Sequence, residues 1–120
     1  MKNHEFDSLN LWASWSDAEI ENIISDDTIV VLQRAVQHLS DEVQSSRIIV
    51  NRDNFVSTVR EMRKLYADGS RLLGQAILEA SDWLDKQEPA KAKEVYEHFL
   101  SLCASKFYRD IARNQLKKIP

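Results

Sequence analysis

The longest regular alternation of apolar and polar positions lies between residues 72 and 116. Apolar side chains recur there at steps of three and four, which places them on one stripe of each helix. Three helices are predicted, the second beginning near Pro89, whose fixed φ suits a first turn. The link 85–88 is short, so the first two helices are expected to lie antiparallel and adjacent. Their expected buried positions are Leu73, Ala76, Ile77, Ala80, Trp83 and Leu84, then Ala92, Val95, Tyr96, Phe99, Leu102 and Cys103.

These two helices resemble one tetratricopeptide unit. In that motif small residues allow two helices to approach closely, and aromatic residues fill the groove between them. No second unit lies about 34 residues before or after, and stable arrays normally need three or more units. The pattern therefore predicts one tetratricopeptide-like hairpin and not a repeat array. The matching positions are Ala76, Ala80, Trp83, Ala92, Tyr96 and Phe99.

The first part of the chain also has helical spacing. A helix is predicted to begin near Asp7 or Ser8, either of which is a suitable N-cap residue. Ser16 and Glu19 then form a capping-box pattern. Two alternatives stay open: a second helix begins at Asp17, or a single helix runs through.

The middle of the chain predicts two more helices and one loop. One helix is expected over residues 28–44, capped by Asp26 and Asp27 and burying the stripe of Leu32, Ala35, Val36, Leu39 and Val43.

Residues 45–51 break the pattern and are predicted to form a loop from which Ile48 or Ile49 enters the core. Another helix follows from Asn54, capped by Asp53. Gly69 either ends that helix or lies within one that continues to Asp85, and Ser105 is predicted to cap the last helix.

Taken together, the elements predict an all-α protein: a compact bundle of about five helices forming a single domain over residues 1–120. No run of apolar residues is long enough for a transmembrane helix, and the first residues lack the apolar region of a signal peptide. The single cysteine, Cys103, is expected in the core. A cytoplasmic location fits these features.

Charge is unevenly distributed along the chain. Residues 1–27 contain seven acids and one base, residues 28–84 are balanced, and residues 85–120 contain eight bases and five acids. Such asymmetry can mark a surface for a partner, and tryptophan is enriched in the centres of such surfaces. The predicted partner-binding residues are Trp15, Asp17, Glu19, Glu21, Asp26 and Asp27.

Known catalytic patterns are absent from the sequence. It contains no glycine-rich phosphate loop, no nucleophile elbow and no zinc-binding helix motif. The three histidines lie far apart, so no metal or cofactor is expected. An overall acidic chain, with a sequence pI near 5.6, argues against direct binding of nucleic acid. The sequence therefore predicts a protein that binds other proteins and is not an enzyme.

One family resemblance adds a function. Residues 99–100 and 105–116 resemble the closing signature of the DUSAM-domain family, which comprises small helical proteins with many paralogues in myxobacteria. The family's pattern is also matched by Trp12, Trp15, Gly69 and the two leucines at 72–73. No functional residues are assigned in that family, but its paralogues can lie beside polymorphic toxins used in kin discrimination. The resemblance implies an immunity protein that neutralises a cognate toxin. The alternative is a helical adaptor or regulatory module that holds a peptide or self-associates.

Overall fold

The computed structural model describes residues 4–40, 42–103 and 105–120, and these ranges form seven helices without a strand. The predicted all-α class is therefore confirmed. The structure has seven helices where about five were expected. Helix α2 is the separate helix from Asp17 that the sequence left as one of two alternatives, and α4 is a short helix that was not predicted. The helices are α1 (His4–Ala13), α2 (Asp17–Asn22), α3 (Asp26–Leu39), α4 (Glu42–Arg47), α5 (Phe55–Asp85), α6 (Pro89–Leu102) and α7 (Lys106–Lys118).

The chain groups into two compact units, one ending at Tyr66 and the other beginning at Ala67. The boundary falls inside α5. The single domain over residues 1–120 stays a prediction. None of the helices described is both long and apolar enough to span a membrane.

In the first unit, α1 begins earlier than expected. Asp7 and Ser8 lie inside it and do not cap it, because Phe6 is already on the buried stripe with Leu9 and Trp12. The capping box is confirmed: the backbone N–H of Glu19 donates to Ser16 Oγ at 3.3 Å, and that of Ser16 donates to Glu19 Oε1 at 3.0 Å. The chain therefore forms two helices here.

The predicted helix over residues 28–44 is divided in two. Its N-cap is Ser25, whose hydroxyl accepts from the backbone N–H of Thr28, so Asp26 and Asp27 lie in the first turn instead of capping it. The helix ends at Leu39 because Ser40 is extended and buried. The expected stripe is confirmed at Leu32, Ala35, Val36 and Leu39, and the side chain of Val43 lies outside the described residues.

The loop predicted over residues 45–51 is shorter than expected, because α4 continues to Arg47. It also enters the core through a residue other than those expected. Val50 is buried, whereas Ile49 is 73% exposed and Ile48 is only half-buried. The amide of Gln33 explains the register, since it donates to the carbonyl of Ile48 at 2.9 Å and accepts from the backbone N–H of Val50 at 2.8 Å. These two hydrogen bonds fix the segment from Ile48 to Val50 against Gln33 of α3.

Helix α5 is continuous through Gly69, which decides between the two alternatives for this residue. It begins one residue later than predicted, and Asn54 replaces Asp53 at its start: the side chains of Asn51 and Asn54 each accept the other's backbone N–H. In the second unit, a Cβ added at Gly69 would lie 2.3 Å from Cδ2 of Tyr108. Gly69 is therefore required by the packing of α7 and not by a helix end.

The buried stripe of the second unit is narrower than the spacing predicts. Leu73, Ala76, Ala80, Ala92, Tyr96, Phe99 and Cys103 are buried as expected. Three positions that were predicted to be buried are exposed instead: Ile77, Leu84 and Leu102. Among the described residues, no neighbouring helix covers that part of the surface. The tetratricopeptide-like character of the hairpin stays a prediction.

The ends of α5 and α6 are closed in different ways. After α5, Gln87 adopts a positive φ of 60°, and the backbone N–H of Glu88 donates to the carbonyl of Trp83, which is the Schellman arrangement. After α6, the guanidinium of Arg109 donates to the carbonyls of Leu100 and Cys103. Ser105 occupies the N-cap position of α7, as predicted, but its side chain makes no capping hydrogen bond.

Candidate partner-binding surfaces

The acidic surface predicted from the sequence consists of Asp17, Glu19, Glu21, Asp26 and Asp27, with Trp15 beside it. All five carboxylates are exposed, and Trp15 is half-buried. Trp12, by contrast, is buried with its ring centroid 5.6 Å from that of Phe55. Trp12 is therefore a core residue, whereas part of the Trp15 side chain remains accessible to a partner.

Arg60 of α5 fixes the corner between α1 and α2. Its Nη1 donates to the carbonyl of Ala13 at 2.6 Å, and its Nη2 donates to the carbonyl of Trp15 at 2.7 Å and to Oδ1 of Asp17 at 2.9 Å. One guanidinium thus satisfies carbonyls at the end of α1, where helix geometry leaves them without partners. Sequence spacing gave no signal for Arg60, because its partners lie more than forty positions away.

The carboxylate of Glu19 has a local role. The backbone N–H of Ser16, and secondarily its side chain, hold the pKa of Glu19 below its ordinary value of 4.5. On α2, Asp17 and Glu21 are four residues apart and share one face, whereas Glu19 lies on the opposite side. The structure therefore joins Trp15 and Asp17 through Arg60. The carboxylate of Glu19 instead binds the backbone N–H of Ser16, which lies between them in the chain.

Asp26 and Asp27 occupy the first turn of α3. Negative charge is favourable there, because the backbone N–H groups carry the positive end of the helix dipole. The turn between α2 and α3 is short and held by Thr28, whose Oγ1 donates to the carbonyl of Ile23 at 3.0 Å. Glu21, Asp26 and Asp27 are therefore exposed acids on two helices joined by a well-defined turn.

A second candidate surface is an open groove in the second unit, between α5 and α6, which we call the α5–α6 groove. It comprises two hollows of about 380 and 230 Å³ that share Glu79, Val95 and His98. The larger hollow is also lined by Trp83, Lys91 and Glu94, and the smaller by Leu72, Gln75, Ala76, Phe99 and Leu102.

The two ends of the α5–α6 groove differ in chemistry. Five of the eight residues that line the smaller hollow are apolar, and one of them, Leu102, is 58% exposed. At the other end, the ring of Trp83 has the ammonium groups of Lys91 and Lys86 at 4.5 and 5.0 Å from its centroid. These are cation–π distances. The sequence predicted Trp83 and Leu102 to be buried, but Trp83 is only half-buried and Leu102 is exposed, and both line this groove.

Comparisons of the chain with protein-family models, with curated proteins and with solved structures found no match. The resemblance to the DUSAM-domain family therefore stays a prediction. Within the part of the chain that the structure describes, no three His, Cys, Asp or Glu side chains converge as metal ligands would.

Proposed function

We propose that this chain is a non-catalytic protein-binding domain that acts as an immunity protein, with its acidic surface bound to a cognate toxin domain in the cytoplasm. The observation that carries the proposal is the exposure of the carboxylates on α2 and at the start of α3. The resemblance to the DUSAM-domain family supplies the kind of partner.

Electrostatics gives the physical reason. Many toxin domains attack nucleic acid and need a basic cleft for the phosphates, so an acidic surface is complementary to that cleft. Charges of opposite sign steer the two proteins together and accelerate association. A tryptophan beside such charges can supply apolar contact, since aromatic residues dominate binding energy at interface centres. Half-buried Trp15 suits that role.

The structure separates the acids into two groups. Asp17 pairs with Arg60, and Glu19 caps α2, so replacing either would disturb the fold as well as the surface. Glu21, Asp26 and Asp27 are exposed and can be neutralised with less risk. We expect these three to carry the electrostatic part of toxin binding.

The test uses the toxic product of the adjacent gene as partner. The triple variant Glu21→Gln, Asp26→Asn, Asp27→Asn should associate at least about tenfold more slowly at low salt, because steering is lost. The matched control neutralises Glu61, Asp82 and Glu97, which are also exposed, and changes the net charge equally. Equal slowing in both variants would show that the acidic surface is wrongly assigned, and absence of any complex would refute the immunity function.

The adaptor or regulatory module is the second candidate, and the α5–α6 groove favours it. A groove lined by Trp83, Phe99 and exposed Leu102 can hold a peptide or a second copy of the chain. Light scattering on the purified chain distinguishes the self-associating form, since a stable dimer has twice the monomer mass.

A further inference from the structure

We propose that Val30 of α3 and Ile49, which follows α4, supply an apolar contact to the toxin and enter an apolar pocket at the edge of its basic cleft. We call these two side chains the α3–loop patch. The inference rests on the proposed immunity function, and it adds to the acidic surface a contact that charge alone does not provide. Both residues lie in the first unit, as the acidic surface does.

The α3–loop patch is unusually accessible for apolar side chains. Ile49 is 73% exposed, the largest fraction among the large apolar residues that the structure describes, and Val30 is 50% exposed. Removing such side chains from water is favourable by roughly 25 cal/mol per Å² of apolar surface. Single exposed apolar residues are common on protein surfaces, so the argument depends on how Ile49 is held and on what surrounds it.

Hydrogen bonds fix the backbone at Ile49 and on both sides of it. Gln33 binds its two neighbours, through the carbonyl of Ile48 at 2.9 Å and the backbone N–H of Val50 at 2.8 Å. The carbonyl of Ile49 itself accepts from Nδ2 of Asn54 at 2.8 Å. A segment that is already ordered loses less conformational entropy when a partner binds. Ile49 is therefore presented to a partner by a backbone that is fixed beforehand.

Helix α3 connects the patch to the acidic surface. Asp26, Val30 and Gln33 follow one another at steps of four and three, so they lie on one side of the helix. The helix rises roughly 10 Å between Asp26 and Gln33, and Gln33 holds the segment that carries Ile49. A typical interface covers about 800 Å² of each partner. One partner bound at Asp26 can therefore cover the α3–loop patch as well.

Charges of both signs surround the patch and define the partner surface. Asp26 and Asp27 lie about one turn before Val30. Three exposed arginines and one exposed acid lie within four residues of Val30 or Ile49 in the chain: Arg34, Arg47, Arg52 and Asp53. A partner that was basic throughout would be repelled by the arginines. The complementary surface therefore has bases facing the two aspartates, an apolar pocket, and carboxylates facing the arginines.

The test measures association and dissociation rates with the toxic product of the adjacent gene. Ile49→Ser should raise the dissociation rate at least about tenfold and change the association rate less than about twofold, because apolar contacts form after encounter. Val30→Thr keeps the shape of the side chain but adds a hydroxyl, and should raise the dissociation rate about threefold. The matched control is Leu78→Ser, at a 71% exposed leucine of the second unit, which should change neither rate. Circular dichroism checks that each variant is folded.

A charge variant tests the chemistry of the partner. Neutralising the three arginines together, by Arg34→Gln, Arg47→Gln and Arg52→Gln, should slow association about threefold at low salt, because they face carboxylates of the toxin. Faster association would show that they face bases, and it would overturn the assignment of this pocket.

Failure of this inference and failure of the immunity function give different results. The acidic surface stands and the α3–loop patch is refuted if the acidic triple variant slows association while Ile49→Ser and Leu78→Ser dissociate at the same rate. Absence of any complex with the toxin refutes the immunity function and the patch together.

Discussion

The helix starts around the acidic surface and the helices around the α5–α6 groove are stabilised by different kinds of contact. Helices α2 and α3 each begin with a reciprocal capping box between residues three positions apart. In the second unit, Gly69 of α5 admits the ring of Tyr108 from α7, and Arg109 of α7 reaches back to carbonyls at the end of α6. The starts of α2 and α3 are therefore closed by local hydrogen bonds. The packing of α7 depends on contacts between helices.

This difference determines which residues remain available to a partner. Local capping engages the carboxylate of Glu19 in a hydrogen bond, whereas Glu21 is exposed and takes no part in the capping box. In the second unit, the contacts of Tyr108 and Arg109 bring α7 against α5 and the end of α6, while Trp83 and Leu102 still line a groove. The positions of exposed charged residues can therefore be inferred from the sequence near each helix start. The position of a groove depends on which helix faces are covered by other helices.

The largest expected effect comes from Gly69→Ala. The added Cβ would lie 2.3 Å from a ring atom of buried Tyr108, so the ring or α7 must move, at a cost of about 1–3 kcal/mol in the free energy of unfolding. Urea denaturation measures this cost.

The matched control is Gly74→Ala in the same helix. A Cβ at Gly74 meets nothing within 4 Å, so the higher helix propensity of alanine should stabilise the protein by up to about 1 kcal/mol. Changes of the same sign at both positions would contradict the close packing of Tyr108 on Gly69.

The substitution Arg109→Met should have the next largest effect on stability. It leaves the carbonyls of Leu100 and Cys103 without their guanidinium donor, and we expect a loss of about 1–2 kcal/mol in unfolding free energy. Arg113→Met on the same helix removes only an exposed ion pair with Asp110 and should cost less than about 0.5 kcal/mol. Equal losses, measured by thermal or urea unfolding, would show that Arg109 does not cap α6.

Gln87→Gly tests the turn between α5 and α6. Gln87 has a φ of 60°, a conformation that costs a residue with a side chain about 1–2 kcal/mol and glycine almost nothing. The variant should be more stable by about 1 kcal/mol, less the entropy that glycine gains in the unfolded chain. A lower denaturation midpoint would argue against the Schellman turn.

The smallest effect concerns Glu19 and the pH dependence of stability. Its pKa is lowered in the folded protein, so the stability that ionised Glu19 contributes is present above its ordinary pKa of 4.5 and lost as pH falls through the lower, folded-state pKa. Glu19→Gln keeps an acceptor for the backbone N–H of Ser16 but does not ionise.

Wild type should therefore be more stable than Glu19→Gln near neutral pH, and this advantage should shrink as the pH falls below 4.5. Urea denaturation of both proteins across this pH range measures the effect, and NMR titration of Glu19 gives its pKa directly. A difference in stability that stays constant with pH would contradict the capping role of its charge.

The chain's own sequence determined the features that depend on neighbouring residues. The all-α class, the capping box of Ser16 and Glu19, the helix start at Pro89 and the stripe from Leu32 to Leu39 all follow from spacing and local hydrogen bonding. Such signals are short-range, so they hold whatever the rest of the chain does. Exposure of the five acids follows from the same pattern.

Only the tertiary structure decided which faces are covered. Periodicity marks Leu102 and Leu84 as apolar stripe positions, but it does not say whether another helix packs against them, and both are exposed. Periodicity does not show that Arg60 binds carbonyls at the end of α1, or that the ring of Tyr108 packs on Gly69. In both contacts the two residues are distant along the chain. Packing between helices depends on side chains brought together by the whole fold, and the α5–α6 groove is a consequence of that packing.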